Sequence, residues 1–257
     1  MNSDYPYLSI IIPALNEERR LPPTLTQIDV FLQNQAYTAE VIVVDNGSTD
    51  RTRDVVQDFI DDHPYVRLIE LAERGKGRAV RAGMLAAQGD YRFICDADLS
   101  MRIDDLTLFL PPNHPGADVI IASREGDGAR RVDEPEYRHM MGRVLNWIVK
   151  MTAVNEFEDT QCGFKMFKRE AAEDLFSVQQ MNGIGFDVEL IFVALHRGYH
   201  VVDQPITWYY DPDSRMRLLQ DSLHILVEIW EIRQNWRRGV YAKRHTTTRQ
   251  DDEPHAG

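Results

Sequence analysis

Two aspartates one residue apart, Asp96 and Asp98, have the residue types and spacing that most directly indicate chemistry. They follow the apolar run Tyr91–Cys95, at the point where a buried strand is expected to end. Two carboxylates at the end of a strand can hold a hard divalent cation such as Mg²⁺ or Mn²⁺, and that ion can bridge to the phosphates of a nucleotide. We expect Asp98 to be the principal metal ligand, with Asp96 beside it or nearer the ribose. The alternative is that both aspartates cap the following helix.

Two earlier segments, Ser9–Asn16 and Val41–Asp50, show the same arrangement of a strand followed by a polar turn. Because ligands of open α/β sheets bind at the carboxyl edge of parallel strands, three such strand ends predict one ligand crevice. Strands and helices alternate up to about residue 123, which predicts an α/β fold with a mostly parallel central sheet flanked by helices. The expected strands are 8–12, 41–44, 66–71, 91–95 and 119–122. The expected helices are 21–32, one that Ser48 or Thr49 caps and that ends near 61, and 76–87.

The second half of the chain has a different character. The segment 125–136 contains glycine, arginine and few apolar residues, so it is expected to be a mobile loop, or a lid that substrate orders. We expect one domain over residues 1–237 and a polar, disordered tail at 238–257. Further helices are expected at 137–151, 187–196 and 216–236, the last of them amphipathic, and further strands at 163–167, 200–202 and 206–209.

Length, charge and cysteine content narrow the class of protein. The chain has 257 residues, of which 43% are hydrophobic, enough for a large α/β domain. Its net charge of −12 argues against nucleic acid as a partner, which would demand a basic face. Cys95 and Cys162 lack metal-ligand spacing and indicate small buried residues in a reducing cytoplasm. Because the first residues are polar and no run of about 18 apolar residues occurs, we expect neither a signal peptide nor a transmembrane helix.

Seven short motifs along the chain can be compared with known families. They are Pro13-Ala14-Leu15-Asn16-Glu17-Glu18, Asp45-Asn46-Gly47-Ser48-Thr49-Asp50, Gly75-Lys76-Gly77, Asp96-Ala97-Asp98, Ser123-Arg124, Asp159-Thr160-Gln161-Cys162-Gly163-Phe164-Lys165 and Ser214-Arg215. Together they resemble the family 2 glycosyltransferases of the GT-A fold, nearest to the dolichyl-phosphate glucosyltransferase-like and polyprenyl-phosphate glycosyltransferase subgroup. The resemblance implies a Rossmann-like GT-A domain, with a nucleotide-sugar half at about 1–123 and an acceptor half at about 124–237.

The resemblance also implies a reaction, which is metal-dependent, inverting hexosyl transfer with Mg²⁺ or Mn²⁺ as the cofactor. Glucose from UDP-glucose is the expected donor sugar, and a polyprenyl, dolichyl-type phosphate is the expected acceptor. GDP-mannose as donor and a soluble acceptor remain alternatives. A nucleotide-sugar-binding module is the alternative without catalysis. A dehydrogenase would need a glycine fingerprint, and a nucleotidylyltransferase a glycine-rich basic first turn, and the chain has neither.

The prediction of the donor-side residues is based partly on their chemistry and partly on the resemblance. Asp45 ends the second strand and offers the acceptor oxygens that a base needs, although Asp-Asn-Gly-Ser is also good turn chemistry. The resemblance places Asp45 against the base, where many relatives carry a second aspartate in place of Asn46. Gly75 and Lys76 are expected to bring backbone amides and an ammonium toward the nucleotide, or else to form a tight turn that opens a helix. The implied nucleotide-sugar-binding residues are Pro13, Ala14, Leu15, Glu17, Asp45, Gly75, Lys76, Asp96, Ala97, Asp98 and Gln161.

On the acceptor side, a lipid phosphate is already ionised near neutral pH, so no strong general base is required. Arginines suit such a phosphate because their forked donors match its geometry. Arg124, Arg138 and Arg215 match basic positions of the resembling enzymes, although each alone also fits an ordinary surface residue. Asp159 is expected to orient the acceptor, or to act as base if the acceptor is a hydroxyl. With Asp98, these four residues are the catalytic candidates, and Gln161 is expected to contact sugar hydroxyls.

The C-terminal helical region suggests how a chain without spanning helices reaches a lipid. Residues 215–244 contain seven Arg or Lys and three Asp or Glu, a net charge of +4 in an acidic protein. Such a helix can lie on an anionic membrane surface as a peripheral contact on the cytoplasmic face. The alternatives are packing on the domain or on a second subunit, as in a homodimer. The apolar residues interleaved with this charge are Ile225, Ile229, Trp230, Ile232 and Trp236.

Overall fold

The computed structural model describes residues 5–136, 139–140, 143, 154, 156–211 and 218–242. Its described strands are β1 (Leu8–Ala14), β2 (Ala39–Asp45), β3 (Val66–Glu70), β4 (Tyr91–Ile94), β5 (Val119–Ser123), β6 (Arg130–Val132), β7 (Lys165–Lys168), β8 (Val201–Pro205) and β9 (Thr207–Tyr209). Seven of them form one sheet in the order β3-β2-β1-β4-β7-β5-β8, and β6 pairs with β9 in a small second sheet. Strand β7 runs antiparallel between β4 and β5, while the other neighbours in the large sheet are parallel.

Helices cover both faces of the large sheet. The described helices are α1 (Leu21–Gln33), α2 (Thr52–Ile60), α3 (Lys76–Ala86), α4 (Arg169–Val178), α5 (Phe186–His196), α6 (Leu218–Arg237) and a 3₁₀ helix, Ile103–Phe109. Strand β1 shows why both faces are buried. Ile10 and Ile12 face the core that α1, α2 and the 3₁₀ helix complete, and Ile11 faces the core of α3 to α6. A run of β-branched residues buried on both faces is typical of a central parallel strand.

The α/β prediction and the mostly parallel sheet are confirmed, and the elements of the first half lie close to their expected bounds. The predicted cap of α2 is wrong, because no side chain caps this helix. Ser48 Oγ instead accepts from the Asn16 amide at 2.8 Å, and the Thr49 amide donates to Asn16 Oδ1 at 2.7 Å. These two side chains therefore join the turns after β1 and β2.

The second half departs further from expectation. The predicted loop 125–136 contains β6, which pairs in parallel with β9, so part of it is ordered by backbone pairing. Neither α4 nor the 3₁₀ helix was expected from the sequence. The expected helix 137–151 lies largely outside the described residues, as do Arg138 and Arg215.

The C-terminal helix packs on the domain, which is the alternative that the sequence left open. Ile225, Ile229 and Ile232 are buried in the core, so they cannot belong to a membrane-facing stripe. Val227 and Trp230 point outward, with 57% and 61% of their surface exposed. No helix in the described part of the chain is long and apolar enough to cross a membrane. The expected disordered tail is wrong for 238–242, because Tyr241 is buried, and 243–257 lie outside the described residues.

Candidate active site

The turns after β1, β2 and β4 are bonded to their surroundings at one edge of the sheet. The Asn46 amide donates to the Ala14 carbonyl at 2.8 Å, and Asn46 Oδ1 accepts from the Gly75 amide at 2.7 Å. On the other side, Thr24 Oγ1 donates to the Ala97 carbonyl at 2.7 Å. These hydrogen bonds join the turn after β2 to the end of β1 and to the turn after β3, and they join the turn after β4 to α1. The donor side of the predicted crevice is therefore connected by hydrogen bonds to the neighbouring turns and to α1.

Asp96 and Asp98 lie at this edge in different electrostatic settings. The Lys76 ammonium lies 2.7 Å from Asp96 Oδ1, and the Ser100 amide donates to Asp98 Oδ1 at 3.1 Å. Burial, and then the charge of Asp96, raise the pKa of Asp98 above its ordinary value. Desolvation opposes the charged form of Lys76, but the nearby carboxylates, Asp96 first, raise the pKa of Lys76. Two negative groups thus share an edge where Lys76 compensates only part of their charge.

This donor set fits a hard divalent cation. Mg²⁺ typically takes one or two protein carboxylates and completes its shell with water and substrate phosphates. Asp96 and Asp98 supply two carboxylates, and the described residues contain no cluster of three or more His, Cys, Asp or Glu side chains that could hold a metal. The remaining positions of the shell are therefore suited to water and phosphate oxygens.

Other donor-side residues divide into exposed and fully buried groups. Pro13, Leu15 and Glu17 are partly exposed beside the crevice, whereas Ala14 is buried. Asp45 is fully buried; its Oδ2 accepts from Arg53 Nε at 2.7 Å, and its carboxylate also faces the Ser48 amide. These contacts are those of the turn-forming alternative. Contact between Asp45 and a base stays a prediction.

The Gly75-Lys76-Gly77 segment uses its backbone differently from the sequence expectation. The Gly75 amide donates to Asn46, and the Gly77 amide donates to the Gly183 carbonyl at 3.1 Å. These two amides are therefore already bonded within the protein. Unlike these two amides, the Lys76 ammonium lies on a side chain that is 35% exposed, so it is suited to contact a phosphate.

On the acceptor side, Arg124 and Asp159 form a tight buried ion pair. Arg124 Nε and Nη2 lie 2.6 and 2.9 Å from the two carboxylate oxygens, and the Arg124 amide donates to Asp159 as well. Burial acts in the opposite direction, but Arg124 lowers the pKa of Asp159 to about 2. The Arg124 guanidinium also lies 5.6 Å from the centre of the Trp208 ring. A carboxylate with so low a pKa is a weak proton acceptor, which favours an orienting role over that of a base.

The segment from Asp159 to Lys165 brings the acceptor side against the metal-binding candidates. Gly163 touches the Asp96 carboxylate so closely that a Cβ at this position would overlap it. Within the described part of the chain, Gln161 Nε2 and Thr160 Oγ1 are buried without a hydrogen-bond partner. Such unsatisfied polar atoms are uncommon in folded proteins and are often found where a ligand completes the bonding.

A family model described as Glycosyl transferase family 2 matches residues 9–176. The chain belongs to this family. Its resemblance to dolichyl-phosphate beta-glucosyltransferases covers most of the sequence. An enzyme of this name from Trichomonas vaginalis is 31% identical over 247 residues, which cover 91% of this chain and 73% of the relative. Those of Drosophila melanogaster and Homo sapiens are 35% and 32% identical, cover 78% of this chain, and are covered over 66% and 67% of their own length.

Solved structures support the GT-A-like fold of this family 2 glycosyltransferase. Glucosyl-3-phosphoglycerate synthase from Mycobacterium tuberculosis, in complex with phosphoglyceric acid, superposes with a TM-score of 0.65 at 17% identity. The match covers 88% of this chain and 80% of that one. A structure of the same enzyme contains Mn²⁺, UDP-glucose and phosphoglyceric acid, with a TM-score of 0.64. At this identity the likeness concerns the fold alone.

The sequence did not predict several contacts that shape the site of this glycosyltransferase. Among them are the hydrogen bond from the Gly75 amide to Asn46 and the ion pair between Arg53 and Asp45. Lys165 and Asp187 form a buried ion pair at 2.6 Å, and Lys165 also donates to the Cys162 carbonyl. The signal that could have found this pair is a lysine directly beside the apolar residues Met166 and Phe167 of β7, since a buried charge requires a partner.

Proposed function

We propose that this enzyme transfers glucose from UDP-glucose to a polyprenyl phosphate, with inversion at the anomeric carbon and with Mg²⁺ or Mn²⁺. The observation that carries the proposal is the contact between Gly163 and Asp96. It brings the acceptor-side segment, with Arg124 and the unsatisfied Gln161 amide, against the carboxylates that suit a metal diphosphate. The similarity to dolichyl-phosphate beta-glucosyltransferases supports the glucosyl donor and the dolichyl-phosphate acceptor.

In this proposal, residues of about 1–123 bind the donor. Asp45 accepts from the base, and Lys76 approaches the diphosphate. Asp96 and Asp98 would hold the metal, which when bound supplies positive charge that stabilises the leaving diphosphate. The residues proposed to wall the base and hold the ribose are Pro13, Ala14, Leu15 and Glu17.

Residues of about 124–237 bind the acceptor and orient its phosphate oxygen. Arg124 faces the acceptor with its orientation set by Asp159, and Gln161 donates to a hydroxyl of the sugar. We also assign Arg138 and Arg215 to the acceptor phosphate, on the strength of the motif alone. Because the phosphate is already ionised, no residue needs to remove a proton from it, in keeping with the low pKa of Asp159. One direct displacement by this oxygen inverts the anomeric carbon and gives a β-linked product.

The lipid acceptor implies a peripheral contact with the cytoplasmic face of a membrane. The outward pair Val227 and Trp230 on α6 supplies apolar surface, and residues 215–244 carry an excess of basic side chains. An aromatic residue beside basic ones suits the headgroup region of an anionic bilayer.

The proposal is tested first by calorimetric titration of UDP, UDP-glucose and GDP-mannose, with and without Mn²⁺. We expect UDP-glucose to bind only weakly without metal, and Asp98→Ala to abolish the effect of the metal. Asp104→Ala is the matched control, because Asp104 is an exposed aspartate on the 3₁₀ helix. Turnover is then measured with polyprenyl phosphate and with soluble phosphate acceptors, and the anomeric coupling constant of the product reports the stereochemistry. Preference for GDP-mannose or for a soluble acceptor would reject the proposed substrates, and binding without turnover would indicate a binding module.

A further inference from the structure

A fully buried glutamate, Glu189 on α5, has no role in the chemistry described above. Its Oε1 accepts from the Gln180 amide at 2.8 Å and from the Tyr241 hydroxyl at 2.6 Å, and its Oε2 accepts from the Met181 amide at 2.9 Å. Glu189 and Tyr241 are 0% and 1% exposed. Burying a carboxylate costs several kcal/mol unless good hydrogen bonds compensate. All three donors come from two places, the segment that follows α4 and the segment that follows α6.

The segment that follows α4, residues 179–185, is here called the bridging loop. Its carbonyls at Gly183 and Asn182 accept from the amides of Gly77 and Arg78, at 3.1 and 3.3 Å. The side-chain amide of Gln179 donates in turn to the Gly77 carbonyl at 2.9 Å. The bridging loop therefore accepts from two of the amides at the start of α3, the helix whose first residue is Lys76.

The bridging loop packs closely against the start of α3. A Cβ on Gly75 would lie 2.6 Å from the Asn182 carbonyl, and a Cβ on Gly77 would lie 2.6 Å from the Met181 carbonyl. A displacement of the bridging loop toward α3 must therefore displace the backbone at Gly75 and Gly77, on either side of Lys76. Because Lys76 reaches Asp96 with a 2.7 Å ion pair, such a displacement changes the donor site.

The C-terminal segment holds the same loop at a second point. Glu228 on α6 accepts from the Gly185 amide at 2.9 Å. Tyr241, four residues after the end of α6, fixes the other end of the loop through Glu189. Two contacts from one C-terminal segment thus determine where the bridging loop lies.

We propose that Glu189 and Tyr241 are positioning residues for donor binding, acting through the bridging loop on Lys76. This inference rests on the proposed function, because it takes Lys76 as a contact of the donor diphosphate. It assigns a role in nucleotide binding to Tyr241, which lies in the segment 238–257 that was expected from the sequence to be a polar tail. The acceptor candidates Arg124, Asp159 and Gln161 do not take part in these contacts, so the effect is expected on donor binding.

The test is a double-mutant cycle between Tyr241→Phe and Lys76→Met, read as the dissociation constant of UDP in the presence of Mn²⁺. Tyr241→Phe removes a single hydroxyl and keeps the ring in the core. We expect it to weaken UDP binding by roughly threefold to tenfold in the wild-type background, which lies within the roughly twofold to thirtyfold effects of residues that do not contact the ligand. In the Lys76→Met background we expect a change of less than about twofold, because the residue that transmits the effect is gone. KM for the acceptor should stay unchanged.

Tyr65→Phe is the matched control, since Tyr65 donates a comparable hydrogen bond to Asp29 at 2.5 Å on the far side of the sheet. It should leave UDP binding unchanged. Unaltered UDP binding in Tyr241→Phe, or equal weakening in both backgrounds, would overturn the inference, since equal weakening indicates a general loss of structure. A second readout needs no nucleotide: amide hydrogen exchange in peptides covering 76–80 should be faster in Tyr241→Phe. If wild type binds no nucleotide, the proposed function fails. Faster exchange in Tyr241→Phe would then still support the connection from Tyr241 through the bridging loop to the start of α3, and unchanged exchange would reject that connection.

Discussion

Replacing Gly163 by alanine should disable the donor site while leaving the fold intact. A Cβ at 163 would lie 2.5 Å from Asp96 Cγ and closer still to Asp96 Oδ2, against an ordinary contact of at least 3.4 Å, so one of the two must move by at least about 1 Å. The backbone around Gly163 is held on both sides. The Phe164 carbonyl accepts from the Ala122 amide at 3.0 Å, and Lys165 donates to the Cys162 carbonyl. Asp96, a short side chain at the open edge, is therefore the group that yields.

The size of the effect follows from this displacement. Moving the Asp96 carboxylate by about 1 Å breaks its 2.7 Å contact with Lys76 and misplaces one of the two proposed metal ligands. A misplacement of about 1 Å in a catalytic site can cost roughly a hundredfold in rate. We expect Gly163→Ala to lower kcat/KM for UDP-glucose by about that factor, and to weaken Mn²⁺-dependent UDP binding at least tenfold.

Steady-state kinetics and calorimetry with UDP and Mn²⁺ measure both quantities, and thermal unfolding reports the fold. The control is Gly198→Ala, where nothing lies within 4 Å of the added Cβ although φ is +79°. This variant should lose some stability from the left-handed backbone and keep its affinity for UDP. Gly163→Ala with wild-type kcat/KM would refute the reasoning, because it would show that Asp96 can move without consequence.

Two further predictions concern the acceptor side and the membrane. Arg124→Met leaves the buried Asp159 carboxylate uncompensated, so it should destabilise the protein by about 3–5 kcal/mol at pH 7. Asp159 in wild type has a pKa of about 2, so its stabilising effect is present above about pH 4 and is lost only as the pH falls toward 2. Without Arg124, burial should raise the pKa of Asp159, so the difference in free energy of unfolding between Arg124→Met and wild type, measured in urea, should narrow from pH 7 to pH 4. A difference that stays constant over this range would contradict the prediction. Arg102→Met, which removes an exposed arginine, should show no such difference from wild type. Trp230→Ser should reduce co-sedimentation with anionic vesicles, whereas Val30→Ser, at a residue 55% exposed on α1, should not.

The sequence predicted the sheet and the placement of Asp96 and Asp98 because both depend on local signals. Buried strands of a parallel sheet are continuous apolar runs, and the polar residues that follow them gather at one edge. The bonding of Asn46 to Gly75 could not be predicted in the same way, since it joins turns 29 residues apart through one side-chain oxygen. The sequence left open what covers the isoleucines of α6 for a related reason. A stripe of apolar residues shows that one face is covered, but the stripe itself does not show whether protein or lipid covers it.

Charge pairing along this edge explains why the site is suited to a metal diphosphate. Three of its carboxylates already have a cation of their own: Asp96 has Lys76, Asp159 has Arg124, and Asp187 has Lys165. Asp98 forms no ion pair within the described residues, and burial raises its pKa. A carboxylate at an open edge with uncompensated charge is the place where a divalent cation gains most by binding. The diphosphate that accompanies the cation brings negative charge to Lys76, whose side chain is 35% exposed. Donor and metal are therefore expected to bind more tightly together than either does alone.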